Sequence, residues 1–372
     1  MSRDDASAPA IPGVERSPKS PRVGSPTSDT TSRANSTSPA PAAVIQADEG
    51  LGADEDEFVA VAVNGDAASF WSDTTSLQSR AMLHAWENGR RYHRYRHARY
   101  PIPNDETEQA REDMLHAMML EVTDGKLFFA PIEHLAKVID LGTGTGIWAV
   151  DVGDQYPGAE VLGVDMSPTQ SRWVPPNVHF VNDDLREAWH DGDNWDLVHL
   201  RHMVPILEDP VALLRKAYDH IRPGGWLELQ DVDGQVHCDD GTLPQRWPLT
   251  RFTELMVEAF ATYDGNARAA VFGRQYLEQA GFINIQHHTR KLPYGTWARD
   301  QTMRLVGMYY RAACEEFFPV VGAMHLPRLG WSENEMQALF AQCRAAMRDP
   351  KVHAYGLMHF WSGQRPVTDV TQ

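Results

Sequence analysis

Asp140, Gly142, Gly144 and Gly146, spaced two apart, follow the apolar run KVI and open the stretch DLGTGTGIW. Glycines at that spacing let a ligand approach the backbone where a Cβ would collide. A helix starting there offers unpaired amides and a partial positive charge to an anion. The spacing narrows the choice of ligand. A dinucleotide fingerprint, G-x-G-x-x-G, needs glycine at position 147, which is Ile147, and no G-K-[ST] follows for a triphosphate. Asp165 ends the segment EVLGVD, where a carboxylate can accept both hydroxyls of a ribose, with Met166 next to it to pack on a base. Asp184, followed by Leu185, ends VHFVNDD, in position to read an adenine edge. The pattern that survives is a nucleoside with an anionic end, held by the loop around Thr143.

Those residues need strand ends to stand on, and the chain supplies them in alternation with helices. KVIDLG (137–142), EVLGVD (160–165), VHFVNDD (178–184), WDLVHLR (195–201) and WLELQDV (226–232) read as strands. A helix from Gly146 to Tyr156 follows the first, and another, with Leu213, Leu214, Ala217 and Ile221 inward, ends at RPGG (222–225). Helices near 250–263, up to Gly281, at 298–317 and at 333–347 follow, with strands at 283–290 and 353–364. The expected fold is therefore α/β, a doubly wound and mostly parallel sheet with its ligand at the strand carboxyl ends. Arg201 and His202, just past the fourth strand, are the expected catalytic pair. His199 lies within an apolar strand and reads as a core residue.

The N-terminal third is organised differently. Residues 1–68 are rich in Ser, Pro, Ala and Thr, with Ser-Pro steps at Ser17, Ser20, Ser25 and Ser38, and read as a disordered, phosphorylatable arm. Residues 69–135 read as a helical cap. One helix is expected from Ser76 to Asn88, stopped by Gly89, and a second capped by Asn104 or Asp105, with Ala110, Met114, Ala117 and Met118 on its inner face. Between them the basic, aromatic run GRRYHRYRHARYPIP suggests a lid laying Tyr92 or His93 over a pocket. Residues 136–372 then form the ligand-binding domain. A net charge of −17 argues against direct nucleic-acid binding, and three scattered cysteines argue against a disulfide framework. The sequence shows no apolar run of membrane-spanning length, no secretory leader and no metal-ligand spacing, so an intracellular protein without metal or membrane attachment is expected.

D-x-G-x-G-x-G, Asp165, the DDL of 183–185 and DPVALLRKAYDHIRPGGWLELQD together resemble class I S-adenosylmethionine-dependent methyltransferases. More narrowly, ENGRRYH, YPIPNDETEQAR, LGTGTGIW, VHLR, RPGGWLELQDVD and VHAYGLMHFW are similar to the fungal LaeA-like methyltransferases, over residues 70 to 365. The resemblance implies a Rossmann-like, seven-stranded sheet with its last strand antiparallel and an N-terminal helical extension. It also implies S-adenosylmethionine as cofactor and a fungal secondary metabolite or a protein side chain as methyl acceptor. Its alternative implication is a regulatory subunit that acts through velvet-type partners in the nucleus or cytoplasm. Thr143 and RHMVPILED (201–209) depart from the regulators' pattern, so both readings stand.

Overall fold

Val138 to Leu141 are wholly buried in the strand Lys137–Leu141, as expected of a central strand covered on both faces. The computed structural model describes residues 43–48, 84–87, 89–93, 102–171 and 173–367. Two short strands, β1 (His84–Glu87) and β2 (Arg90–His93), pair as an antiparallel hairpin. Helix α1 (Glu106–Val122) precedes β3 (Lys137–Leu141), α2 (Ile147–Gln155), β4 (Glu160–Asp165), β5 (Val178–Asn182) and β6 (Trp195–Arg201). Then come α3 (Pro210–His220), β7 (Ile221–His237), α4 (Pro248–Phe260), α5 (Gly273–Ala280) and β8 (Ile283–Pro293). Helices α6 (Gln301–His325) and α7 (Glu333–Met347) and strand β9 (Tyr355–Gln364) complete the order.

The main sheet has seven strands in the order β5-β4-β3-β6-β7-β9-β8. Pairing is parallel from β5 through β7, and β9 runs antiparallel between β7 and β8. Chain direction across the sheet reverses between β3 and β6, which places a crevice at their carboxyl ends. Alternating side chains divide the core. Ile139, Leu141, Val198 and Leu200 pack against Leu213, Leu214 and Ala217 of α3 and Leu277 of α5. On the opposite face Val138, Val161 and Leu197 meet Trp148, Ala149 and Val152 of α2. A third cluster gathers Met118 of α1, Phe252 and Met256 of α4, Tyr310 and Phe318 of α6 and Phe340 of α7.

Four expectations for the N-terminal part change. Residues 84–87, expected at the end of a helix from Ser76, form a strand instead, while 76–83 and Asn88 lie outside the described residues. Gly89 at φ +77° serves a hairpin turn as readily as a helix stop, and the cross-strand pairing decides between them. The first two arginines of the basic run are tied down, while residues 94–101 of it lie outside the described residues. Arg90 Nε donates to Asp105 at 2.6 Å, and Arg91 pairs with Glu106 at 2.9 Å. Asp105 is the N-cap of α1, accepting from the Glu108 amide at 3.0 Å, but the inner face is not the apolar stripe expected. Ala110 is exposed, Met114 and Ala117 are half-buried, and the fully buried positions include Glu108, Arg111 and His116 beside Met118. Lastly, residues 43–48, grouped by composition with the disordered arm, dock on the domain. Ala47 bridges Ala298, Asp48 pairs with Arg304 at 2.9 Å, and Ile45 packs at the Trp297 cluster. Ile45 and Ala47 supply the apolar surface that the preceding residues lack. Residues 1–42 and 49–68 lie outside the described residues.

Candidate functional site

Gly142, Gly144 and Gly146 have φ of +78°, +58° and +81°, the left-handed region that side chains avoid. Neighbours close the remaining space. A Cβ on Gly142 would stand 2.4 Å from Met203 Sδ, one on Gly144 2.6 Å from Glu112 Oε2, and one on Gly146 2.4 Å from the Phe180 ring. Asp140 organises the turn. Its carboxylate accepts from Thr143 Oγ1 at 2.6 Å and lies 2.7 Å from His199 Nδ1. His199 is wholly buried and stacks on Trp148 with centroids 3.7 Å apart, the core role expected of it. Burial holds its pKa down against the pull of Asp140.

The loop amides were expected to receive the ligand's carboxylate, and the structure commits them elsewhere. Gly142 and Thr143 N–H donate to Val164 O at 2.8 and 3.0 Å, and Gly146 N–H to Thr143 O at 2.9 Å. Gly144 N–H donates to Asp165 Oδ2 at 2.9 Å, and the Thr145 hydroxyl donates to Asp113 Oδ1 at 2.7 Å. The turn largely satisfies itself, using β4, its own Thr143 carbonyl and the Asp165 carboxylate as acceptors. The Gly144 carbonyl is engaged as well, by Thr169 Oγ1 at 2.9 Å and Gln170 Nε2 at 2.6 Å.

A cavity of about 290 Å³ runs from this loop into the third apolar cluster. Asp140, Gly142, Thr143, Gly144, Asp165, Arg201 and His202 all line it, so most of the site residues expected from sequence come together. Met166, Asp184, Leu185 and Gly146 do not. Asp184 accepts from Arg186 Nε at 2.9 Å, Arg186 Nη2 lies 3.7 Å from Met166 Sδ, and the Leu185 carbonyl accepts from Lys216 Nζ. These residues form a polar shelf beyond the ends of β4 and β5, whose last paired residues are Asp165 and Asn182. Tyr92 is buried without lining the cavity, and the side chain of His93 lies outside the described residues. Arg90 and Arg91 anchor the hairpin to the start of α1.

Four charged groups that sequence reasoning passed over face the cavity: Arg111, Glu112, Asp231 and Asp233. Asp231 and Asp233 belong to the quoted RPGGWLELQDVD, and their place at the end of the fifth core strand was the available signal. Asp231 is 2% exposed and neither carboxylate oxygen has a hydrogen-bond partner. Burial pushes its pKa up to about 7, opposed by the facing amides of Val204 and Met203. Asp233 differs. Burial works against its charge, but His237 at 3.1 Å and Arg268 at 2.8 Å hold its pKa below the usual carboxylate range. His202 takes φ +58°, and its Nε2 is buried without a partner. Burial, with the positive charges of Arg201 and Arg111, lowers its pKa to about 3, so the ring is neutral. The far wall is aromatic and aliphatic, with Phe252, Met256, Tyr294, Tyr310, Phe317 and Phe318.

A β-sheet of this order with an acid-tipped glycine loop at its switch point defines a class of nucleoside-binding transferase, and comparison with known proteins specifies it. The family described as methyltransferase domain matches residues 114–287. The chain is 36% identical over 299 residues to methyltransferase pytC of Aspergillus terreus, covering 79% of this chain and 92% of that protein. It is 36% identical over 289 residues to secondary metabolism regulator LAE1 of Cochliobolus heterostrophus, covering 75% and 94%. Among solved structures it resembles Haemonchus contortus phosphoethanolamine N-methyltransferase 2 in complex with S-adenosylmethionine, at 16% identity and TM-score 0.40, covering 68% of this chain and 52% of that one. The chain belongs to the class I S-adenosylmethionine-dependent methyltransferases, in their LaeA-like branch. The cavity fits that cofactor: Gly142 and Gly144 of the loop and Asp165 at the end of β4 line it beside an apolar chamber.

Proposed function

We propose that the protein methylates a small, largely apolar metabolite and acts in secondary metabolism. The observation that supports this is the aromatic chamber continuous with the glycine loop. Such a wall offers little to a charged protein side chain, whose desolvation it would not offset. Asp165 is assigned the ribose hydroxyls, Asp184 with Leu185 the adenine edge, and Met166 a packing contact on the base, while Asp140 and Thr143 keep the loop in shape. Bound there, S-adenosylmethionine supplies a methyl group on a sulfonium centre. The chain's own contribution is alignment, exclusion of water and management of one proton. Asp231, desolvated and unpartnered, is placed to take the proton of an acceptor hydroxyl on Oδ. Neutral His202 accepts a hydrogen bond through Nε2 and orients that hydroxyl.

A direct test incubates the purified protein with methyl-labelled cofactor and with low-mass or protein fractions from a strain lacking the gene. Label should enter the low-mass fraction, and Asp231→Asn should lower its rate by about 10²-fold or more. Label confined to protein would overturn the acceptor assignment. The second reading, a regulator acting through velvet-type partners, is favoured by the name of the LAE1 relative. It predicts that Asp231→Asn restores the metabolite profile of a deletion strain as fully as wild type does.

A further inference from the structure

The cofactor's methionine end is a zwitterion, and all three glycine amides of the loop are already committed. The N–H groups of Gly142, Thr143, Gly144 and Gly146 are engaged within the protein, as is the Gly144 carbonyl. Two half-buried ionisable side chains, one acidic and one basic, face the same cavity. Glu112 projects from α1 onto the loop, with Oε2 against Gly144. Among the described residues no cation forms an ion pair with it, since the neighbouring Arg111 is committed to Glu108. Arg201, at the end of β6, touches His116 Nδ1 at 3.1 Å, and among the described residues no carboxylate pairs with it. His116 is itself bound to Asp151 at 2.9 Å.

We propose that Glu112 receives the α-ammonium of S-adenosylmethionine and Arg201 its α-carboxylate, so that helix α1 of the N-terminal cap completes the cofactor site. The assignment rests on the cofactor reading above and deepens it. It gives a ligand to each of two half-buried ionisable side chains that no ion pair among the described residues satisfies. It also explains why the inner face of α1 carries charge where an apolar stripe was expected.

A proton linkage follows. The groups facing Glu112 are Glu108 and Arg111 on its own helix, Asp165 at the end of β4 and the Thr145 amide, and it also interacts with Arg201 of β6. Arg201 in turn feels Asp140 and Asp151. Burial first, then the negative charge of Glu108, pushes Glu112 up to about 8. At pH 7 the side chain is therefore about 0.9 protonated, and pairing with an ammonium releases that proton.

The test is calorimetry on the full chain at pH 7 in buffers of different ionisation enthalpy, with S-adenosylhomocysteine and with 5′-methylthioadenosine, which lacks the amino-acid end. Wild type should release about 0.9 proton per S-adenosylhomocysteine bound and none with methylthioadenosine. Glu112→Gln should release none and bind S-adenosylhomocysteine about 10- to 100-fold more weakly, with methylthioadenosine affinity unchanged. Arg201→Gln should weaken S-adenosylhomocysteine alone and keep the proton release. Wild type that binds both ligands without releasing a proton overturns this assignment and leaves the cofactor reading intact. So does Glu112→Gln protein that keeps full affinity, or that loses both ligands alike. Wild type that binds neither overturns the cofactor reading and this assignment with it.

Discussion

Replacing Gly144 by alanine separates two costs that the structure puts on one atom. At φ +58° an L-residue loses about 1–2 kcal/mol, partly offset by about 0.4–1 kcal/mol from a stiffer unfolded chain. The new Cβ also falls 2.6 Å from Glu112 Oε2 and 3.3 Å from its Cδ, so the carboxyl must retreat. Displacing a packed side chain in this way is an overpacking cost of about 1–3 kcal/mol. The sum is about 2–3 kcal/mol, or a Tm about 4–8 °C lower by thermal unfolding monitored at pH 7.5. Only the second cost depends on Glu112. In a double-mutant cycle with Glu112→Ala, the clash cannot be suffered twice, so the two changes should couple favourably by about 1–2 kcal/mol. Gly142→Ala is the control. There the obstruction is the flexible thioether of Met203, so little beyond the backbone strain is expected. Additivity within about 0.5 kcal/mol in the Gly144–Glu112 cycle would refute the placement of that carboxylate over the loop.

Three further outcomes are expected. Ala313, buried on α6 and lining the chamber, enlarged to phenylalanine should cut methylation of the acceptor more than tenfold while leaving the Kd for S-adenosylhomocysteine within about twofold; an equal loss of both would place the chamber on the cofactor side. Burial raises Glu228 and Asp231 to about 7 and Glu112 to about 8, so their share of stability is complete below their unfolded pKa values and is lost as pH rises through 7 to 8. The depressed histidines His202, His287, His325 and His359 act in the opposite sense, but most of their contribution is regained by about pH 6.5. Tm should therefore fall between pH 6.5 and 8.5, less steeply in Glu228→Gln, and an identical slope in that variant sinks the argument. Extending an N-terminal truncation from residue 42 to residue 48 removes the Ala47 bridge and the Asp48–Arg304 pair, so the longer truncation should unfold at a measurably lower temperature than the shorter.

The sheet was legible because its strands are buried on both faces and so read as short apolar runs, and because Gly142, Gly144, Gly146, Asp165 and Asp184 punctuate their ends. The antiparallel β9 was legible only through the family resemblance. Nothing in YGLMHFWSGQ distinguishes a strand slotted between β7 and β8 from one added at the edge. The hairpin at 84–93 was missed because local signals are degenerate there. A glycine after a mixed segment ends a helix or turns a strand, and the deciding contacts, Arg90 to Asp105 and Arg91 to Glu106, are made some fifteen residues away.

Helix α1 shows why half of the site was out of reach. Its apolar residues were taken to mark the buried face, a sound rule when a helix packs on a core. Here the helix packs partly on a cavity, and it turns Arg111 and Glu112 toward that cavity rather than toward bulk water. Periodicity then points at the wrong side, because the charges that should mark solvent mark the interior. The same inversion hides Asp231, an acid within β7 that follows the buried run 225–230, which composition alone would place at the surface. Loop geometry is written in glycines and can be read from spacing. Charge complementarity to a small zwitterion is written in residues distant along the chain, Glu112 and Arg201, whose common address exists only after α1 has folded across the ends of β3 and β6.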